Sequence, residues 1–224
     1  MKITLLPVLL LGLVVSGSNV ARADLTMVQD TQYGQQAQRV TVKIKGDKMR
    51  IDGMPMNYMI MDVNSGNTFV IMPAQRVYVK MAGSTLAAAM QKVGGENRAG
   101  DAQFVATGQT EKIGDYDTEI FTVETPRLKG KYWVARNYPD YEQIKEEVCK
   151  LSSGFMMNAA KGRIPDIGQL PGIPVKTEIE VQHPMPMTVQ SILISANQDP
   201  ISDDTFVIPG DFHQLQVPES TLTK

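Results

Sequence analysis

Short runs in which apolar and polar residues alternate dominate this chain. In RVTVKIKGDKMRIDG, Val40, Val42 and Ile44 fall on one side and Thr41, Lys43 and Lys45 on the other, because successive side chains of a strand point to opposite faces. Gly46-Asp47 then predicts a hairpin turn into a second strand through Met49 and Ile51. NYMIMDV, NTFVIMP and RVYVKM continue the rhythm, separated by NSGN and PAQ. Further on, DAQFVATG, YDTEIFTVE and KYWVARN read as strands. VKTEIEV alternates cleanly, and MTVQSILISA is its natural partner across QHPMP.

Two stretches follow the helical period instead. STLAAAMQKVGG carries Leu86, Met90 and Val93 at helical spacing, between a Ser84 cap and Gly94-Gly95. YEQIKEEVCKLSSGF sets Tyr141, Ile144, Val148, Leu151 and Phe155 in one apolar stripe that begins after Pro139-Asp140. About nine or ten strands with two helices predict an α+β fold built on a long antiparallel meander. Open twisted sheets of that length curl or split, so the expected form is a half-barrel with both helices packed in its concave side. The mouth of such a half-barrel suits an apolar ligand.

The first 23 residues change the compartment. MKITLLPVLLLGLVVSGSNVARA has an early lysine, an apolar run from Ile3 to Val15, and small residues at Ala21 and Ala23, the pattern of a secretory signal peptide cleaved after Ala23. The run is short for a membrane-spanning helix, and no later segment is longer, so no membrane span is expected. Residues 24–224 then form a single domain, periplasmic or secreted, with 20 basic against 24 acidic residues once Lys2 and Arg22 are removed. No basic block points to nucleic acid. The one cysteine, Cys149, has no partner for an internal disulfide, sits too far from the cleavage site to carry a lipid anchor, and reads as a packed side chain on the second helix.

Methionine is the remaining signal. GMPMNYMIMD holds four methionines, and HPMPM follows at residues 183–187. Met54 and Met56 flank Pro55 in an expected turn, whereas Met59 and Met61 share one face of a strand. Thioethers select soft Cu(I), which makes Met59 with Met61, or His183 with Met185 and Met187, a possible copper site. Methionine is also a flexible, polarizable filler that lines adaptable apolar surfaces. On that account Met59, Met61 and Met72 on the sheet, Leu86 and Met90 on the first helix, Ile144 and Val148 on the second, and Trp133 are the candidate lining of an apolar cavity, with ordinary core packing as the competing explanation.

Enzymatic chemistry has no support in the motifs. Ser65, Ser84 and Ser153 lack a nucleophile-elbow context, and neither histidine, His183 or His213, stands in order with a serine and an acid. Asp203-Asp204 and Glu146-Glu147 are adjacent pairs whose members diverge, and no phosphate loop or zinc spacing occurs. Arg50 and Asp52 share a strand face and are placed to pair. No cofactor is expected.

Several phrases in order, KGDKMRID, VIMPAQRVYVKM, TGQTEKIGDYDTEIFTVE, KYWVAR, PGIPVKTE and DPISDDTFVIPGDF, run from residue 45 to residue 212. Together they resemble an uncharacterised domain-of-unknown-function family of exported bacterial proteins, whose fold is similar to that of the periplasmic lipoprotein carriers. The resemblance implies an incomplete antiparallel barrel, closed by helices, that holds a lipid or acyl chain; it supplies no catalytic residues. The expected function is therefore a non-enzymatic binding or carrier module for a lipid or other apolar ligand. The alternatives are a structural or interaction protein that binds an envelope partner, and a Cu(I)-binding protein.

Overall fold

A computed structural model describes residues 24–54, 56–85, 103–125, 128–153, 166–181 and 186–216. These residues build one open sheet of twelve strands, in the order β12-β6-β5-β4-β3-β2-β1-β11-β10-β9-β8-β7. The first six strands are β1 (Leu25–Tyr33), β2 (Gln36–Lys45), β3 (Lys48–Met54), β4 (Asn57–Asp62), β5 (Thr68–Met72) and β6 (Val77–Met81). They form one antiparallel meander. A second contains β7 (Val105–Ile113), β8 (Tyr116–Thr125), β9 (Leu128–Ala135), β10 (Ile173–Val181) and β11 (Met187–Asn197). The two meet where β11 pairs with β1, and β12 (His213–Gln214) adds a short parallel strand beside β6.

The alternating segments recognised in the sequence become strands, with the hairpin at Gly46-Asp47 as expected. Two strands escape the pattern. β1 carries Gln29 and Thr31 on the face where Leu25 and Met27 lie, so its alternation breaks halfway. β12 spans two residues whose partners are more than 100 positions away. The sheet is consequently not one continuous meander but two that converge on its centre.

Register shifts interrupt the ladder at Val28/Gln29, Ile51/Met54, Ala106/Thr110 and Pro174/Lys176. Each adds local twist, and together they curl the sheet. Gly53 serves the second of these. Its φ is 109°, and a Cβ there would sit 2.1 Å from the Arg39 carbonyl oxygen.

The helix Tyr141–Ser153 forms where the apolar stripe predicts it. Asp140, at φ 53°, turns the chain into it, and the Ile144 N–H closes the first turn on the Asp140 carbonyl at 3.0 Å. Ile144, Tyr141 and Val148 pack against one face of the sheet, in a cluster with Leu25, Ile44, Ala135, Tyr138, Ile173 and Val175. Tyr138 is stacked on Tyr116, 5.0 Å between ring centres, and its hydroxyl accepts the Ala196 N–H at 2.9 Å. The expected first helix lies almost wholly outside the described residues, where only 83–85 show helical backbone.

A second cluster, Phe121, Val123, Tyr132, Val134 and Leu170, fills the β8–β10 half. A third joins Ile60 and Ile71 to Ile201 and Phe206 of the C-terminal segment. That segment straps the face of β3–β6 opposite Met59 and Met61. Lys45 donates to the Ile201 carbonyl and pairs with Asp203 at 2.9 Å, while Asp24 accepts the Ile201 N–H at 2.6 Å. Arg50 donates to the Thr205 carbonyl at 2.9 Å, pairs with Asp52 at 2.8 Å, and lies 3.9 Å from the centre of the Tyr58 ring. The pairing of Arg50 with Asp52 expected from the sequence is thus formed.

Two stability measurements check this description. Gly53→Ala meets both a positive φ and a backbone clash, so it should cost about 1–3 kcal/mol or more in urea unfolding, whereas Gly34→Ala, with no atom near its absent Cβ, should pay only the conformational penalty. Burial pushes the Tyr132 phenol up to about 12. Below pH 10 the phenol is neutral in both folded and unfolded chains; from pH 10 to 12 only the unfolded chain ionises, and stability falls by roughly 2 kcal/mol. Tyr132→Phe should remove that part of the alkaline loss.

Candidate functional site

The register sets out the helix-bearing face strand by strand. Direct cross-strand partners share a face, so Met27, Val42, Ile51, Met59, Val70 and Val79 form one row across β1 to β6. The next row is Leu25, Ile44, Met49, Met61, Thr68 and Met81. Met72 lies two residues beyond Val70, and on the same face.

Exposure changes along these rows. Under the helix, Leu25 and Ile44 are fully buried, at 0% and 1%. Towards β6, Ile51, Met59, Met61, Val70, Met72, Val79 and Met81 are all half-buried and belong to none of the three core clusters of described residues. Thr68 is the buried exception. Among the described residues not one methionine is buried: Met27, Met49, Met54, Met59, Met61, Met72 and Met81 are half-buried and Met56 and Met187 exposed, and of these Met27 and Met49 pack at the margin of the helix-side core. The core itself is built from branched and aromatic side chains.

Between the helix and the sheet lies an apolar cavity of about 90 Å³, bounded by Met27 and Leu193 on the sheet and Lys145, Val148 and Cys149 on the helix. Among the described residues Lys145 is the one charged member of its lining. Its ammonium donates to the Tyr141 hydroxyl at 3.0 Å and to the Leu170 carbonyl at 3.2 Å. The tyrosine contact, more than any other, holds its pKa above the ordinary lysine range. Burial pushes the Cys149 thiol up, and its Sγ lies 2.8 Å from where a Cβ on Gly168 would stand. Two larger depressions, of about 490 and 510 Å³, are lined chiefly by polar and charged groups such as Asp30, Arg39, Glu111 and Arg136.

The candidate lining is therefore partly assembled. Met59, Met61 and Met72 share the helix-bearing face, and Ile144 and Val148 pack beside its buried end. Trp133 is not with them. It lies on the opposite face from Tyr132, its indole N–H donating to Glu111 at 2.6 Å, with the ammonium groups of Lys176 and Lys131 4.1 and 4.6 Å from the ring centre. Strand alternation separates Trp133 from Tyr132, and both are buried, at 3% and 4%, on their opposite faces. Leu86, Met90, His183 and Met185 lie outside the described residues, and Met187 is exposed at the start of β11. Sequence reasoning missed Met27, Met49 and Met81, which cross-strand pairing brings onto the same face, and Lys145, whose chain position carries no motif. Among the described residues no group of three or more histidine, cysteine or acidic side chains could hold a metal, and no helix is long and apolar enough to cross a membrane.

A curled open antiparallel sheet with an apolar helix-bearing face and a strapped opposite face is the architecture of the chain. It belongs to the family described as Domain of unknown function (DUF4412), whose sequence profile matches residues 19–212. No curated protein matches it significantly. Among solved structures it is similar to PNGF-II, at 11% identity over 90% of this chain and 32% of that one, with a TM-score of 0.42, so it spans about a third of that protein's length. It is also similar to a LolA superfamily protein from Nitrosomonas europaea, at 12% identity over 83% of this chain and 89% of that one, TM-score 0.34. The Pseudomonas aeruginosa MucA/MucB complex contains a further similar chain, at 8% identity over 88% of this chain and 59% of that one, TM-score 0.44.

The setting of Cys149 gives a chemical check. A thiol held above its ordinary pKa presents little thiolate at neutral pH, so it should react with a disulfide reagent several-fold more slowly than an exposed cysteine, and unfolding in denaturant should abolish the difference. Equal rates in the folded and unfolded chain would show that the cavity wall is open.

Proposed function

We propose that this protein is an exported, non-enzymatic binding or carrier module of the bacterial envelope, whose ligand is a lipid or other flexible apolar molecule. The observation that carries this reading is the distribution of methionine. A residue used as plain filler would be buried with the rest of the core. Here no described methionine is buried; Met27 and Met49 pack at the margin of the core, and Met59, Met61, Met72 and Met81 lie beyond it on the half-buried part of the same face, where a flexible thioether can follow the shape of a variable partner. The leader peptide, cleaved near Ala23, delivers the chain to the periplasm or beyond, and the helix Tyr141–Ser153 covers part of the face on which the ligand lies.

A second reading, an interaction protein that binds an envelope partner, is supported by β7. This strand forms one edge of the sheet, and its residues are exposed from Val105 to Lys112. Such an edge offers backbone groups to an added strand.

Titration with an environment-sensitive apolar dye, and its displacement by a long-chain alcohol, distinguishes the two. Carrier function predicts displaceable binding that Met59→Gln with Met61→Gln weakens more than tenfold, since each apolar side chain taken from the contact is worth about 1.5–3 kcal/mol when fully buried. Met59→Leu with Met61→Leu should retain it. Native mass spectrometry of protein from its own envelope should show an acyl-containing adduct; its repeated absence, together with no displaceable dye binding, leaves the interaction protein.

A further inference from the structure

The cavity under the helix and the methionine wall are parts of one surface, and their relation defines the ligand more closely. Met27 bounds the cavity and also begins the row Met27, Val42, Ile51, Met59, Val70, Val79. Five interstrand steps make that row about 24 Å long. The hydrocarbon core of a bilayer is about 30 Å thick, so one leaflet's chain spans roughly 15 Å, and the row can accommodate it with length to spare. The cavity alone, at about 90 Å³, is well below the roughly 300–1,000 Å³ of a usual small-molecule site. It suits one end of such a chain.

That end carries a charge to be met. Lys145 lines the cavity, and both acceptors of its ammonium, the Tyr141 hydroxyl and the Leu170 carbonyl, are neutral. An ammonium has three N–H donors, and the described residues accept two of them, leaving one for a ligand. Glu142 and Asp166, the carboxylates that act electrostatically on Lys145 or Cys149, are exposed. Neither forms an ion pair with Lys145 among the described residues. A single cation with one spare donor matches a single negative charge.

Resting on the carrier reading above, the geometry points to a long-chain carboxylate as the ligand class, its head group on Lys145 and its tail running from the cavity along the Met27 to Val79 row. Charge complementarity selects the head, and the apolar row takes the tail. A long-chain alcohol shares the tail but not the charge, and an alkylammonium reverses it.

The test uses the mature protein with dodecanoate, dodecanol and dodecylammonium, each displacing the same apolar dye below its micellar concentration. Dodecanoate should bind at least tenfold more tightly than dodecanol, and dodecylammonium more weakly than either. Lys145→Met should abolish the preference for dodecanoate over dodecanol, with an unchanged far-ultraviolet circular dichroism spectrum and urea midpoint showing that the variant is folded; Lys145→Arg should keep the preference. Dodecanoate should also slow disulfide-reagent labelling of Cys149. Equal binding of the acid and the alcohol by the unaltered protein, or a preference that survives Lys145→Met, overturns the head-group assignment and leaves the carrier reading standing. Failure of all three amphiphiles to displace the dye overturns both.

Discussion

The pairing of β1 with β11 holds the molecule together. These strands lie near opposite ends of the described chain, yet they pair over most of their length, from Thr26 with Asn197 to Tyr33 with Val189. Without that ladder there would be two separate meanders, each with an additional unpaired edge. The entropic cost of closing so long a loop grows only logarithmically with its length, so a ladder of backbone hydrogen bonds and the burial of Leu25 can offset it. The same ladder fixes the row geometry. Once β1 is in register with β11 and β2, every side chain from Met27 to Val79 is assigned its face, because a slip of one residue would turn the apolar set outward.

The two faces of the β3–β6 half then meet different fates. The C-terminal segment closes one of them with Ile201 and Phe206, and charged side chains aim at its backbone rather than only at one another. Lys45 and Arg50 donate to the carbonyls of Ile201 and Thr205, and Asp24 accepts an N–H. Segments without regular structure have backbone groups to satisfy, and these three residues satisfy them at the cost of few side chains. On the other face the row that begins with the fully buried Leu25 and Ile44 reaches half-burial at Met81 of β6. Among the described residues the second face is therefore less fully buried than the first, and its apolar side chains stand beside the core rather than in it.

Much of this was legible in the sequence because strand alternation is local. Val40, Val42 and Ile44, or Met59 and Met61, declare a shared face within five residues, and the stripe Tyr141, Ile144, Val148 declares a helix in the same way. What needed the structure was long-range. β1 was not legible because Gln29 and Thr31 occupy inward positions on its second half, where neighbouring strands rather than its own hydrophobicity hold it in the sheet. β12 is a strand only because Val77 and Tyr78 are beside it. Alternation placed Trp133 and Tyr132 on opposite faces but could not say what buries each; Phe104 meets the Tyr132 ring edge-on at 4.9 Å, and the lysines cover Trp133. The candidate site was half legible for the same reason, its methionines being local and its lysine not.

The pattern of residue types argues that the half-buried face is matched to something other than the protein's own interior. Beneath the helix the sheet uses Leu25, Ile44, Ile173 and Val175, side chains with few rotamers that define one packing arrangement. Met27 and Met49 border that cluster, and beyond it the same face carries methionine at 59, 61, 72 and 81 among Ile51, Val70 and Val79, although Val and Ile suit a strand better. Strand formation does not explain those methionines, since β-propensity favours branched side chains. Methionine gives up rigidity and gains accommodation, a useful exchange only where the opposing surface varies in shape or is present part of the time. Lys145 belongs to the rigid end of this face: it bounds the cavity together with Met27 and donates to Tyr141 and to Leu170, on the side of the helix away from β3–β6.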